Sequence, residues 1–76
     1  MELQGFIENF AAQFEETDAN VFKANTKFRE LDEWSSLTSL SIIAIADDEY
    51  DVQLKGDDIR SATTIEDLFN VVKSKK

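Results

Sequence analysis

The stretch EWSSLTSLSIIAIADDEYDV, residues 33–52, places two adjacent serines ahead of an apolar run that ends in acid. A serine in that position accepts a hydrogen bond from one of the free first-turn amides of a helix. With Ser36 as the cap, a helix is predicted from Leu37 to about Tyr50. Leu37, Ile42, Ile43, Ala46 and Tyr50 share a broad inward arc, whereas Leu40, Ala44, Asp47 and Asp48 recur at i, i+4, i+7 and i+8 as a second stripe. That stripe joins apolar residues to acids, a combination suited to docking on a basic, partly apolar protein surface. A solvated acidic helix end is the plainer account of the same residues.

Toward the N-terminus, Leu3, Phe6, Ile7, Phe10 and Phe14 recur at i, i+3, i+4, i+7 and i+11, the spacing of one helical face. They predict an amphipathic helix over roughly residues 2–14. Between Glu15 and Ser35 neither helical nor strand period is sustained, which predicts a long loop anchored by Val21, Phe22, Phe28, Leu31 and Trp34, with a short helical turn within it. Toward the C-terminus, Asp57-Asp58-Ile59-Arg60 after Gly56 predicts one short turn of helix. A final helix is marked by Thr63 as cap and Glu66 three residues later, as in a capping box, with Ile65, Leu68, Phe69 and Val72 as its buried face. Lys73, Lys75 and Lys76 complement the negative end of its dipole. There is no proline, glycine occurs only at Gly5 and Gly56, and no repeat or linker interrupts the chain. The expectation is a single all-α domain spanning residues 1–76, a small bundle of three principal helices plus one short helix.

With 42% hydrophobic residues, six of them phenylalanine, the chain has the material for a compact core despite 32% charged residues. Cysteine and histidine are both absent. Their absence excludes disulfides, thiolate or imidazole metal sites, Cys-His and Ser-His nucleophile pairs and the commonest general base. Asp47, Asp48, Glu49 and Asp51 offer paired carboxylates, but nothing in the sequence desolvates one of them to separate its pKa from its neighbours, so a solvated face is the better reading and intrinsic catalysis is not expected. DDEYDVQLKGDD resembles a calcium loop superficially. Setting Gly56 at the sixth position of such a loop puts Lys55 at the fifth, where an ammonium group cannot be a ligand.

The formal charge is −8, and residues 30–58, with nine acids and the single base Lys55, carry all of it; the remainder of the chain is balanced. This segment repels phosphate backbones and attracts basic protein surfaces, which argues against nucleic acid as a partner. No apolar run approaches the roughly 20 residues that span a bilayer, and the acidic start at Glu2 is unlike a signal peptide. A soluble, cytoplasmic monomer is expected.

Ser36-Leu37, the apolar helix through Ile43, the acidic ending Asp47-Asp48-Glu49 followed by Tyr50, and the distal Thr63-Thr64-Ile65 together resemble the acyl carrier protein family. The resemblance runs without a gap from about Leu31 onward. It implies a phosphopantetheine arm on Ser36, installed from coenzyme A by a separate phosphopantetheinyl transferase, whose thiol holds acyl groups as thioesters for fatty-acid or related biosynthesis. The implied partners are that transferase and the acyl-loading and acyl-processing enzymes with basic patches. Leu37, Leu40, Ala44, Asp47 and Asp48 form the implied docking face. Ile42, Ala46, Leu54, Ile59, Ala62, Ile65 and Phe69 are the implied lining of an acyl pocket, with ordinary core packing as the plainer role of each. Register favours Ser36 over Ser35 and Ser39, because it alone puts Tyr50 in the family's aromatic position, fourteen residues later. The pattern departs from the family at Ser35, where the family has aspartate, and at Glu33, where it has glycine. An aminoacyl or D-alanyl carrier and a secondary-metabolite carrier share the same landmarks. A non-modified acidic interaction protein is a further reading, supported by Ser35.

Overall fold

The computed structural model describes residues 2–76 and is all-helical. Its elements are α1 (Leu3–Ala11), α2 (Ser36–Tyr50), α3 (Gly56–Ser61) and α4 (Ile65–Lys75), with single 3-10 turns at Ala19–Val21 and Phe28–Glu30 in the segment between α1 and α2. The expected three principal helices and one short helix are all present.

The first helix ends earlier than its apolar spacing suggests. After Ala11 the backbone tightens, with Gln13 N–H donating to the Phe10 carbonyl and Phe14 N–H to the Ala11 carbonyl. This closing turn still delivers Phe14 to the core, 5.6 Å from the Phe10 ring and 5.0 Å from Phe22. Phe6 reaches in the other direction, 5.5 Å from Phe69 of α4 and 5.7 Å from Tyr50 of α2. Asn9 adds a polar tie, its side-chain amide donating to the Tyr50 hydroxyl at 2.9 Å.

Both sequence-predicted caps are displaced by one residue. Ser35, not Ser36, is the N-cap of α2: its backbone is extended, its hydroxyl accepts from Thr38 N–H, and Thr38 Oγ1 accepts from Ser35 N–H at 2.7 Å. The reciprocal pair satisfies two amides at once, and it leaves Ser36 as the first helical residue. At α4 the cap is Thr64 with Asp67, not Thr63 with Glu66. The Asp67 carboxylate accepts from both Thr63 N–H (3.2 Å) and Thr64 N–H (3.1 Å), which Glu66 in that register does not do.

The 24-residue segment between the first two helices is held at defined points. Phe22 and Phe28 are buried, and Trp34 stacks on Phe10 with ring planes 3° apart. Val21 is the exception among the expected anchors, being 42% exposed at the end of its 3-10 turn. The Thr26 and Ala24 carbonyls accept from Ile65 N–H and Glu66 N–H, so the segment also supplies acceptors to the first turn of α4. Ile65, Leu68 and Val72 of α4 are fully buried with Phe28 at the centre of the core, as the spacing of that helix predicts.

At the other end of α2, Asp51 adopts a left-handed conformation (φ 56°) and reverses the chain, and Val52 N–H then donates to the Ala46 carbonyl. Aspartate tolerates this region better than most residues with a Cβ. The reversal brings Val52 and Leu54 into the core ahead of α3. Lys75 Nζ lies 3.3 Å from Asp58 and links the last turn of α4 to the first of α3, while Arg29 donates to the Arg60 carbonyl at 2.9 Å.

Candidate functional site

Ser36 is exposed in the first turn of α2, and the capping bond belongs to its neighbour Ser35. Ser39 N–H donates to the Ser35 carbonyl and Thr38 N–H to the Ser35 hydroxyl. The amides of Ser36 and Leu37 precede the first intrahelical bond and have no acceptor within the helix. Among the described residues the Ser36 hydroxyl and the Ser36 and Leu37 amides thus have no hydrogen-bond partner, and they stand at the positive end of a 15-residue helix, where a covalently held phosphate is electrostatically favoured.

Leu37 does not join the inward arc. It is 75% exposed, because a step of 100° per residue sets it about 140° around the helix from Ile42. Its place is instead on the outer stripe, since residues 37, 40, 44, 47 and 48 stand at i, i+3, i+7, i+10 and i+11. Leu40 is 61% exposed, and Ala44, Asp47 and Asp48 are exposed. Ser36 lies at the head of this stripe, four residues before Leu40 and eleven before Asp47, about 16 Å along the axis. Ile42 and Ala46 face the core, with Ile43 and Tyr50 half-buried.

The seven acyl-pocket candidates, Ile42, Ala46, Leu54, Ile59, Ala62, Ile65 and Phe69, are all buried and belong to one continuous core. In this arrangement they pack against one another and the phenylalanines. A surface cleft of about 300 Å³ lies between α2 and the segment that follows it, lined by Ile43, Ala44, Asp47, Gln53, Leu54 and Lys55. Of the seven candidates it touches Leu54, and it opens beside the outer stripe at Ala44 and Asp47. A larger cleft, about 450 Å³, lies ahead of α2 and is lined by Glu16, Thr17, Val21, Glu30, Leu31, Asp32 and Glu33. Among the described residues, no group of three or more acidic side chains converges as a metal site requires.

Three of the carboxylates that act as structural acceptors, a role the sequence reading did not assign, have lowered pKa values. Glu33 accepts from the Thr17 hydroxyl and from Glu16 N–H, and these bonds, the Thr17 hydroxyl foremost, hold its pKa below the ordinary value against some desolvation. Asp58 is lowered chiefly by Lys55 N–H, with Lys75 assisting. Asp67 is lowered by the amides of Thr64 and then Thr63. Only the Asp67 contact has a local sequence signal, the Thr-x-x-Asp spacing; the Glu33 contact spans 16 residues and has none.

A folded pKa below the unfolded value gives stability that is complete above the ordinary carboxylate range and is lost as pH falls through the folded value. Urea midpoints measured across pH should therefore fall on acidification below about pH 4. The Asp67→Asn variant should start less stable at neutral pH and show a shallower acid slope. An identical slope in that variant would contradict the role of Asp67.

No protein-family model, curated protein or solved structure matches the chain. Among the described residues, no helix is long and apolar enough to cross a membrane.

Proposed function

We propose that this chain carries acyl groups as thioesters on a phosphopantetheine arm attached to Ser36, and presents them to enzymes of fatty-acid or related biosynthesis. The observation that carries this reading is the division of labour between the two serines. Ser35 caps α2, so modification of Ser36 leaves the cap intact, and the Ser36 oxygen is exposed at the positive end of the helix.

In the modification step the Ser36 oxygen attacks the phosphorus that bears the pantetheine portion of coenzyme A. A P–O bond to Ser36 forms, the P–O bond to the nucleotide phosphate breaks, adenosine bisphosphate leaves, and the serine proton passes to a base on the transferase. The arm, when attached, supplies the reactive thiol that a chain without cysteine lacks. The chain's own residues hold the phosphate near the Ser36 and Leu37 amides and offer the stripe Leu37, Leu40, Ala44, Asp47 and Asp48 to basic partner surfaces. Catalysis resides in the partners.

The test is intact-mass measurement after incubation with coenzyme A and a broad-specificity phosphopantetheinyl transferase. The wild type is expected to gain one phosphopantetheine and Ser36→Ala none. Absence of any gain with several transferases would favour instead an acidic helical interaction protein that works unmodified.

A further inference from the structure

Glu33 stands three residues before Ser36, and its two ends hold different parts of the molecule. Its carboxylate accepts from Glu16 N–H at 2.9 Å and from the Thr17 hydroxyl at 2.5 Å. Its backbone carbonyl lies 3.5 Å from Thr38 Oγ1, the hydroxyl that also accepts from Ser35 N–H and approaches the Ser35 carbonyl at 2.9 Å. One residue therefore connects the turn that follows α1 to the hydrogen-bonded cap that fixes the first turn of α2. The stacking of Phe14 on Trp34, with centroids 6.3 Å apart and planes 20° apart, runs beside this connection and brings the same two segments together. The contact lies at the surface: Glu15, Glu16, Asp18, Ala19, Asn20 and Val21 are exposed on one side, Ser35 and Ser36 on the other.

We propose that Glu33 is a positioning residue for Ser36: by clasping the Glu16-Thr17 turn to the segment that leads into α2, it fixes the direction in which the Ser36 hydroxyl leaves the first turn. The inference rests on the reading of Ser36 as an attachment site. A displacement of the order of an ångström at a nucleophile is enough to slow its reaction substantially, and among the described residues no other side chain within residues 33–36 is hydrogen-bonded to the turn that follows α1.

Glu33 also contributes negative charge that attracts a basic transferase, and the variants separate the two effects. Glu33→Gln keeps an oxygen acceptor but removes the charge. Thr17→Val removes a donor but keeps the charge. Glu33→Ala removes both. Two readouts are needed on each: amide hydrogen exchange at Glu16 in the unmodified chain, and kcat and KM of transferase for the chain as substrate.

Loss of Glu16 amide protection is expected in Glu33→Ala and attenuation in Thr17→Val. In the same two variants kcat should fall by about 10- to 100-fold with KM little changed, and Glu33→Gln should recover most of the wild-type kcat. Unchanged kcat in Glu33→Ala and Thr17→Val, despite lost protection at Glu16, overturns the positioning role while leaving Ser36 as the attachment site. A Glu33→Gln variant as slow as Glu33→Ala, with the effect in KM, also overturns it and assigns Glu33 to electrostatic docking. A wild-type chain that no transferase modifies overturns the attachment reading, and the positioning role falls with it.

Discussion

Phe28→Ala should lose about 3–5 kcal/mol of unfolding free energy, the cost of emptying a fully buried aromatic site. A chain of 76 residues has only about 4–11 kcal/mol in total, so the loss is a large share of the stability of the fold. Phe28 has no exposed surface and meets Phe10 and Trp34 edge-on, at centroid distances of 5.5 and 4.9 Å. Its removal opens the core and also releases the segment whose Ala24 and Thr26 carbonyls accept from the first turn of α4. Urea titration followed by Trp34 fluorescence and by far-ultraviolet circular dichroism reads both consequences. The contrasting substitution is Val21→Ala in the same segment, where partial exposure predicts a change within about 0.5 kcal/mol. Comparable losses from the two would mean that the segment is not anchored as described.

Reversal of Asp47 and Asp48 to lysine should leave folding almost untouched and strongly impair recognition by a basic partner. Both residues are exposed, and neither is in an ion pair among the described residues. The double change moves the formal charge from −8 to −4 and places the new cations within the outer stripe of α2, about three turns from Ser36. Electrostatic steering is worth about 10- to 1,000-fold in association rate, so kcat/KM for transferase action should drop by that order at low ionic strength. The deficit should shrink as salt screens the surface charges. An unchanged kcat/KM at low salt would remove Asp47 and Asp48 from the docking face.

The helices were legible because their apolar spacing records which side is buried. Phe6, Ile7 and Phe10 of α1, and Ile65, Leu68, Phe69 and Val72 of α4, are in the core as their positions predict. α2 was harder, since it carries leucines on its solvent side. Leu37 is apolar like the core residues, but its angular separation from Ile42 and its spacing to Leu40, Ala44 and Asp48 put it on the solvent side. The caps missed by one residue because Ser35-Ser36 and Thr63-Thr64 are each pairs of competent hydroxyls. Which member caps is decided by the third residue onward, Thr38 and Asp67, and by the extended backbone of the cap itself. The segment 12–35 was the least legible, because tertiary contacts order it: phenylalanines packed onto α1, carbonyls offered to α4 and a carboxylate returned to Thr17.

The solvent-facing stripe of Leu40, Ala44, Asp47 and Asp48 follows from the sequence, whereas Ser36, read there as the cap, is the exposed first residue of α2. Ser35 changes meaning. It enters the sequence reading as the residue that occupies an aspartate's place, and in the fold it is the cap that leaves Ser36 unencumbered. Glu33 changes more, from an odd residue in the position of a glycine to the link between the α1 turn and the approach to α2.

The proposed attachment at Ser36 is tested most directly by fragmenting the transferase-treated protein in a tandem mass spectrometer and locating any added group within residues 33–41. The account predicts the phosphopantetheine on Ser36 alone, with Ser35, Ser39 and Ser41 unmodified; the group on Ser35 or Ser39, or a wild-type chain that never acquires it, would contradict the account.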